Sequence, residues 1–168
     1  MSREQTAFEA SLGILAAADQ SSGRLSQKLA RQGYSPEDID AAIARLQEMG
    51  LLDDLRMARA VLEGRRRAGY GDRRTDMELR RKGLPDAAIA AAHDELDQLE
   101  QAQGSLPPGS PLVANGEGAL PTEAERCQEI AQRLYLKKMD RSAVGRALIR
   151  RGYGEADVWK ALAQLPPP

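Results

Sequence analysis

Three stretches of this 168-residue chain, residues 25–46, 75–96 and 144–165, carry one helix-turn-helix pattern written around a glycine. With Gly33, Gly83 and Gly152 placed in register, the apolar positions fall into columns. Leu29, Leu79 and Leu148 stand four before the glycine; Ile39, Ile89 and Val158 stand six after it. Leu46, Leu96 and Leu165 stand thirteen after it. Self-similarity at this spacing is the mark of stacked supersecondary units. One pattern copied three times points to an extended binding surface before it points to a single catalytic pocket.

Each copy explains its own turn. The glycine takes the left-handed position after a helix, where a Cβ is penalised. The next residue, Tyr34, Leu84 or Tyr153, lies five after the column leucine, the spacing of a Schellman contact. Ser21, Gly71 and Asp140, twelve before the glycine, are acceptable N-caps. Ser35-Pro36-Glu37-Asp38 opens the next helix of the first copy with a cap, a proline at N1 and acids against the dipole. A further helical stretch precedes each pair: residues 5–18 with Phe8, Leu12 and Leu15; 54–67 with Ala58, Val61 and Leu62; 123–138 with Cys127, Ile130, Ala131 and Leu134. The predicted fold is all-α, an elongated tandem array of three three-helix repeats. Units this small have thin cores and are expected to pack on one another.

The predicted divisions are repeat 1 over residues 1–50, repeat 2 over 51–101, a flexible linker over 102–121 and repeat 3 over 122–168. The linker stretch holds four Gly, four Pro and one charge, Glu117. Aromatics make up 4% of the chain, which leaves no platform for stacking bases. No apolar run approaches the ~20 residues that span a bilayer, and no signal-peptide pattern opens the chain. It reads as cytoplasmic, without membrane contact, and as a monomer. A lone Cys127 forbids an internal disulfide.

Catalytic constellations are not found. One histidine and one cysteine cannot build a His/Cys metal cluster, and no phosphate loop or nucleophile elbow is present. Neither a metal nor a cofactor is expected. His93 shares a column with Ile43 and Leu162 and reads as a packed or edge residue; Cys127 lies on an apolar stripe. Acid pairs such as Asp53-Asp54 read as caps or solvated ends.

Net charge is −1, yet charge is strongly segregated. Residues 56–82 hold ten Arg/Lys against four acids, and residues 126–151 hold eight against two. Residues 85–101 hold five acids and no Lys or Arg. The densest basic cluster is Arg65, Arg66, Arg67, Arg73, Arg74, Arg80, Arg81 and Lys82, the expected partner-binding surface for phosphate or acidic protein. Lys137, Lys138, Arg150, Arg151 and Trp159 form a possible secondary contact; Trp159 reads either as packing at a unit boundary or as an exposed anchor. In a helix-turn-helix reader the second helix enters the major groove N-terminus first. Here those helices open with Glu37 and Asp38, with Asp86, and with Glu155 and Asp157, all unfavourable against phosphate.

Gly50-Leu51-Leu52-Asp53-Asp54, Arg56-Met57-Ala58, Gly69-Tyr70-Gly71, Glu78-Leu79 and Lys82-Gly83 follow one another in an order that resembles the RecX family of regulatory proteins. The family pattern reads GLLDD-x-RFA, an arginine-rich segment, G-x-G, then EL-x-x-KG. Met57 stands where phenylalanine is usual, and residues 102–121 are longer than the usual junction. The resemblance covers residues 25–96 best. It implies tandem three-helix repeats, no catalysis, and modulation, usually inhibition, of the recombinase RecA. The implied partner is the RecA filament on single-stranded DNA, with weak non-specific nucleic-acid contact besides. The alternative is a helix-turn-helix protein that binds DNA or RNA directly.

Overall fold

A computed structural model describes residues 5–104 and 121–166; most of the expected linker, residues 105–120, lies outside the described residues. Among the described residues there are nine helices and no strand, grouped as three units of three. The first unit is α1 (Ala7–Ala17), α2 (Ser22–Arg31) and α3 (Pro36–Glu48). The second is α4 (Asp54–Arg67), α5 (Asp72–Arg81) and α6 (Asp86–Gly104). The third is α7 (Glu123–Leu136), α8 (Arg141–Arg151) and α9 (Glu155–Ala163). Helix α6 runs to Gly104, into the stretch expected to be linker. No helix among the described residues is long and apolar enough to cross a membrane.

Every unit has its own core. Leu25, Leu29, Ile39, Leu46 and Leu52 fill the first; Ala58, Leu62, Leu79, Leu84, Ile89 and Leu96 the second; Cys127, Val144, Leu148, Tyr153, Val158 and Leu165 the third. The repeat columns are therefore the buried ones. The turns close as their spacing requires: φ is 92° at Gly33, 79° at Gly83 and 92° at Gly152. The amides of Tyr34, Leu84 and Tyr153 donate to the carbonyls of Leu29, Leu79 and Leu148 at 3.2–3.3 Å. Ser21 and Asp140 accept the amides of Arg24 and Ala143 as N-caps. In α1 the expected stripe is displaced. Leu12 is exposed, whereas Ala7, Ala10 and Ser11 are buried, the Ser11 hydroxyl being satisfied by the Ala7 carbonyl at 2.6 Å. Small residues there let α1 lie close on α3, with Phe8 and Leu15 packing at the margin. Helix α7 stops at Leu136, short of the expected 138, because Lys138 turns into the left-handed region at φ 62°.

Neighbouring units are joined by one junction used twice. The start of the second helix in one unit abuts the C-terminal turn of the second helix in the next. At the first junction Arg24 Nη2 donates to the Arg81 carbonyl at 3.3 Å, and at the second Arg74 Nη1 donates to the Arg150 carbonyl at 3.0 Å. Arg24 and Arg74 occupy one repeat column, as do Arg81 and Arg150. Ser21 Oγ donates to the Lys82 carbonyl at 2.6 Å; its counterpart Gly71 donates its amide to the Arg151 carbonyl at 2.9 Å. A carboxylate from the next unit's first helix supplies a third bond. Asp54 Oδ1 accepts the Ser22 amide at 2.9 Å, and Glu123 Oε1 accepts the Asp72 amide at 3.0 Å. These amides are among the four left unsatisfied at a helix start, so each unit caps its predecessor. Contact is close enough that a Cβ on Gly71 would collide with the main chain of Gly152 and Tyr153. The third unit is thus held on the second by direct bonds.

Candidate partner-binding surface

Helix α4 ends in Arg65, Arg66 and Arg67, and one turn of chain later α5 opens with Asp72, Arg73 and Arg74. The left-handed Gly69, φ 74°, reverses the chain so that the two helix ends share one face. The arginines there separate into two environments.

Arg66 is not a surface residue. It is 3% exposed, donating from Nη2 to Asp72 Oδ2 at 2.9 Å and to Asp97 at 3.2 Å, with His93 Nδ1 at 3.1 Å. His93 Nε2 in turn meets Asp76 at 2.8 Å. The histidine therefore sits at the edge of the core, bonded to polar partners. Arg126, also 3% exposed, reaches Asp72 Oδ1 at 3.4 Å from the third unit. Asp72 thus gathers two buried guanidinium groups from different units. Burial lifts the Glu123 carboxyl above the usual range, opposed by the Asp72 amide it accepts. This cluster is structural, so the expectation of a partner-binding role for Arg66 is corrected: a charge enclosed with its counter-ions is not presented to a ligand.

The second environment centres on Tyr70, which sequence reasoning passed over as part of a helix break. Three guanidinium groups approach its ring: Arg74 at 5.0 Å, Arg65 at 5.4 Å and Arg151 of the third unit at 5.9 Å from the centroid. Each has one fixed partner. Arg65 donates to Glu78 at 2.8 Å, Arg74 to the Arg150 carbonyl, and Arg151 to the Gly69 carbonyl at 3.3 Å. The Arg65 bond holds the Glu78 carboxyl below its ordinary value. A guanidinium carries five N–H donors, so most donors of this trio are uncommitted. Side chains held this way are pre-oriented for an anion such as a phosphodiester. The signal in the sequence is an aromatic bracketed by Gly69 and Gly71 inside an arginine-rich run; the Arg151 contribution comes from the next unit, far along the chain.

The remaining expected residues are spread over the surface. Arg73, Arg81 and Lys82 are exposed. Arg67 is exposed and 3.8 Å from Glu63, and Arg80 is exposed and bonded to Asp86 at 2.7 Å, which raises its pKa. Lys137, Lys138 and Arg150 are exposed in the third unit. Trp159 is 74% exposed on α9, so it does not pack at a unit boundary. Cys127 is fully buried, and burial pushes its thiol up to about 12, so it is an inert core residue at neutral pH. Asp53 caps its own helix through the Arg56 amide at 2.9 Å, and Asp54 caps α2.

Two three-helix domains of the RecX family match this chain, the first over residues 7–46 and the second over residues 53–92. The regulatory protein RecX of Stenotrophomonas maltophilia (strain K279a) is 40% identical over 95 residues, covering 56% of this chain and 58% of that protein. That of Xanthomonas axonopodis pv. citri (strain 306) is 39% identical over 90 residues, covering 54% and 56%. The matched stretch is therefore little more than half the length of these relatives. A crystal structure of RecX from Lactobacillus salivarius superposes with a TM-score of 0.67 over 95% of this chain and 94% of that one, at 14% identity. A second crystal structure of regulatory protein RecX gives 0.63 over 95% and 72%, at 18% identity. At such identities the likeness is one of fold.

Proposed function

The chain belongs to the RecX family, its first two units matching that family's three-helix domains, and on that premise we propose that it is a non-enzymatic regulator of the recombinase RecA. In this reading it binds the RecA filament on single-stranded DNA as a cytoplasmic monomer and restrains the filament's growth, ATP hydrolysis and coprotease action. The observation that carries the reading is the guanidinium trio on Tyr70, assembled across the junction of two units. A polyanionic backbone lying along the array would meet these pre-oriented donors. Exposed Arg67, Arg73, Arg81 and Lys82 extend the same positive field. Charges of this kind set association rate and salt dependence more than final affinity. That suits a regulator whose partner is a large, highly charged nucleoprotein.

Direct reading of duplex sequence is the weaker alternative. Glu37, Asp38, Asp86 and Glu155 are exposed at the starts of the helices that would enter the groove, where they oppose phosphate. Co-sedimentation separates the two. The chain should pellet with RecA assembled on single-stranded DNA and stay in solution with RecA alone. Retention by naked duplex with sequence preference, and none by the filament, would overturn the reading.

A further inference from the structure

The third unit carries an open groove lined by apolar side chains. Between α8 and α9 an open cleft of about 850 Å³ runs beside the exposed Trp159 and Ile149, with Val158 and Leu162 behind them. Trp159 is 74% and Ile149 46% exposed. Gly145, buried on α8, lines the cleft, and an added Cβ there would stand 3.1 Å from Leu162 Cδ1. The fold does not require this surface. In the repeat columns of Ile149 and Trp159 the first unit has Ala30 and Asp40, and the second has Arg80 and Ala90. In the Gly145 column they have Ser26 and Asp76. Three copies of one scaffold thus differ at positions that line this cleft. Single exposed apolar residues need no explanation, but a cleft with an aromatic anchor does.

The rim states what the groove would hold. Arg141, Arg146 and Arg150 line it and are exposed, against a single acid, Glu155. Arg141 is tied to the Leu165 and Pro166 carbonyls, which fixes its position. An aliphatic floor under Ile149 and Leu162 offers nothing to a sugar-phosphate chain, whereas an arginine rim is matched by carboxylates. We propose that this groove is the docking site for an acidic amphipathic helix of a protein partner, its apolar side chains set against Trp159 and Ile149 and its carboxylates against the three arginines. Helix-in-groove recognition uses this combination of apolar anchors and flanking charge. Resting on the RecA reading above, the inference places the helix on a filament subunit and leaves the Tyr70 trio to the nucleic acid. Nucleoprotein binding is then bipartite.

The test compares three full-length chains labelled with one fluorophore: the parent, Trp159→Ala/Ile149→Ala, and Arg141→Glu/Arg146→Glu, each checked for unchanged helicity and Tm. Binding is followed by anisotropy on RecA filaments and on naked single-stranded DNA. Both variants should bind the filament about tenfold more weakly than the parent and naked DNA equally well. The arginine variant should also lose part of the salt dependence. Folded variants that bind the filament like the parent overturn the groove while leaving the RecA reading intact. A parent that does not bind the filament removes both. Equal losses on filament and naked DNA would make nucleic acid the occupant. Concentration-dependent dimers abolished by Trp159→Ala would make it a second copy. A red shift of Trp159 emission on deleting residues 109–118 would make it the chain's own junction. Each of these three results overturns the proposal.

Discussion

Arg74 reaches from the second unit to donate to the main-chain carbonyl of Arg150 in the third, 3.0 Å away, as Arg24 does to Arg81 one unit earlier. The same columns make the same bond twice, so the array is propagated by a rule rather than by two unrelated contacts. It follows that the units are coupled through backbone proximity. Gly71→Ala should expose this, because φ there is −78° and alanine meets no backbone strain, only the main chain of Gly152 and Tyr153. A loss of about 1–3 kcal/mol is expected, with faster proteolysis between the second and third units. Gly64→Ala, where an added Cβ meets nothing within 4 Å, should stabilise by about 0.5–1 kcal/mol in a parallel melt.

Leu79 is fully buried and accepts the Leu84 amide through its carbonyl at the Schellman turn. Leu79→Ala should cost about 2–5 kcal/mol by emptying a core site. Gly83→Val should be comparably damaging, as a β-branched residue is strained at φ 79°. Urea titration of both variants measures this directly.

The two kinds of arginine make opposite predictions. Arg66→Ala removes the buried cation that Asp72 and Asp97 share and should destabilise by about 3 kcal/mol. Arg67→Glu/Arg73→Glu changes only exposed side chains, so Tm should hold while filament binding weakens and its salt dependence flattens. Anisotropy at two salt concentrations, with circular dichroism alongside, distinguishes them.

Stability should fall on the alkaline side through the third unit. Burial lifts the Tyr153 phenol from 10.0 to about 12 and the Cys127 thiol from 9.0 to about 12. Both groups stay protonated in the fold after the unfolded chain has begun to ionise them. Their contribution is complete below pH 9 and is lost progressively toward pH 12. Among the described residues the buried Tyr153 hydroxyl has no hydrogen-bond partner, so Tyr153→Phe should be neutral or stabilising at pH 7. It should also flatten the alkaline fall, which thermal melts from pH 7 to 11 would record.

The repeat cores are legible in the sequence because the Schellman turn and the apolar columns are set by residues a few positions apart. Leu29, Leu79 and Leu148 need no distant information to be recognised. Arg66 and Arg67 mark where such reading stops. They are adjacent and chemically identical, yet one is enclosed by Asp72, Asp97 and His93 from other helices while the other faces solvent. Tyr70 is similar: its third guanidinium arrives from Arg151, and only the docking of units brings them together. The small residues of α1 misled for a related reason, since Ala7 and Ala10 are buried by close approach to α3 rather than by their own hydrophobicity. Asp54 reads as a helix end, which it is, but the helix it caps belongs to the preceding unit.

The central claim, regulation of RecA without chemistry of its own, is tested most directly by the rate of single-stranded-DNA-dependent ATP hydrolysis by RecA, measured with increasing amounts of this chain. A filament regulator should lower that rate at fewer copies than there are RecA protomers, and the parallel reaction with Arg67→Glu/Arg73→Glu should need more protein for the same effect. An unchanged rate with the folded parent chain present in excess over RecA would contradict the claim.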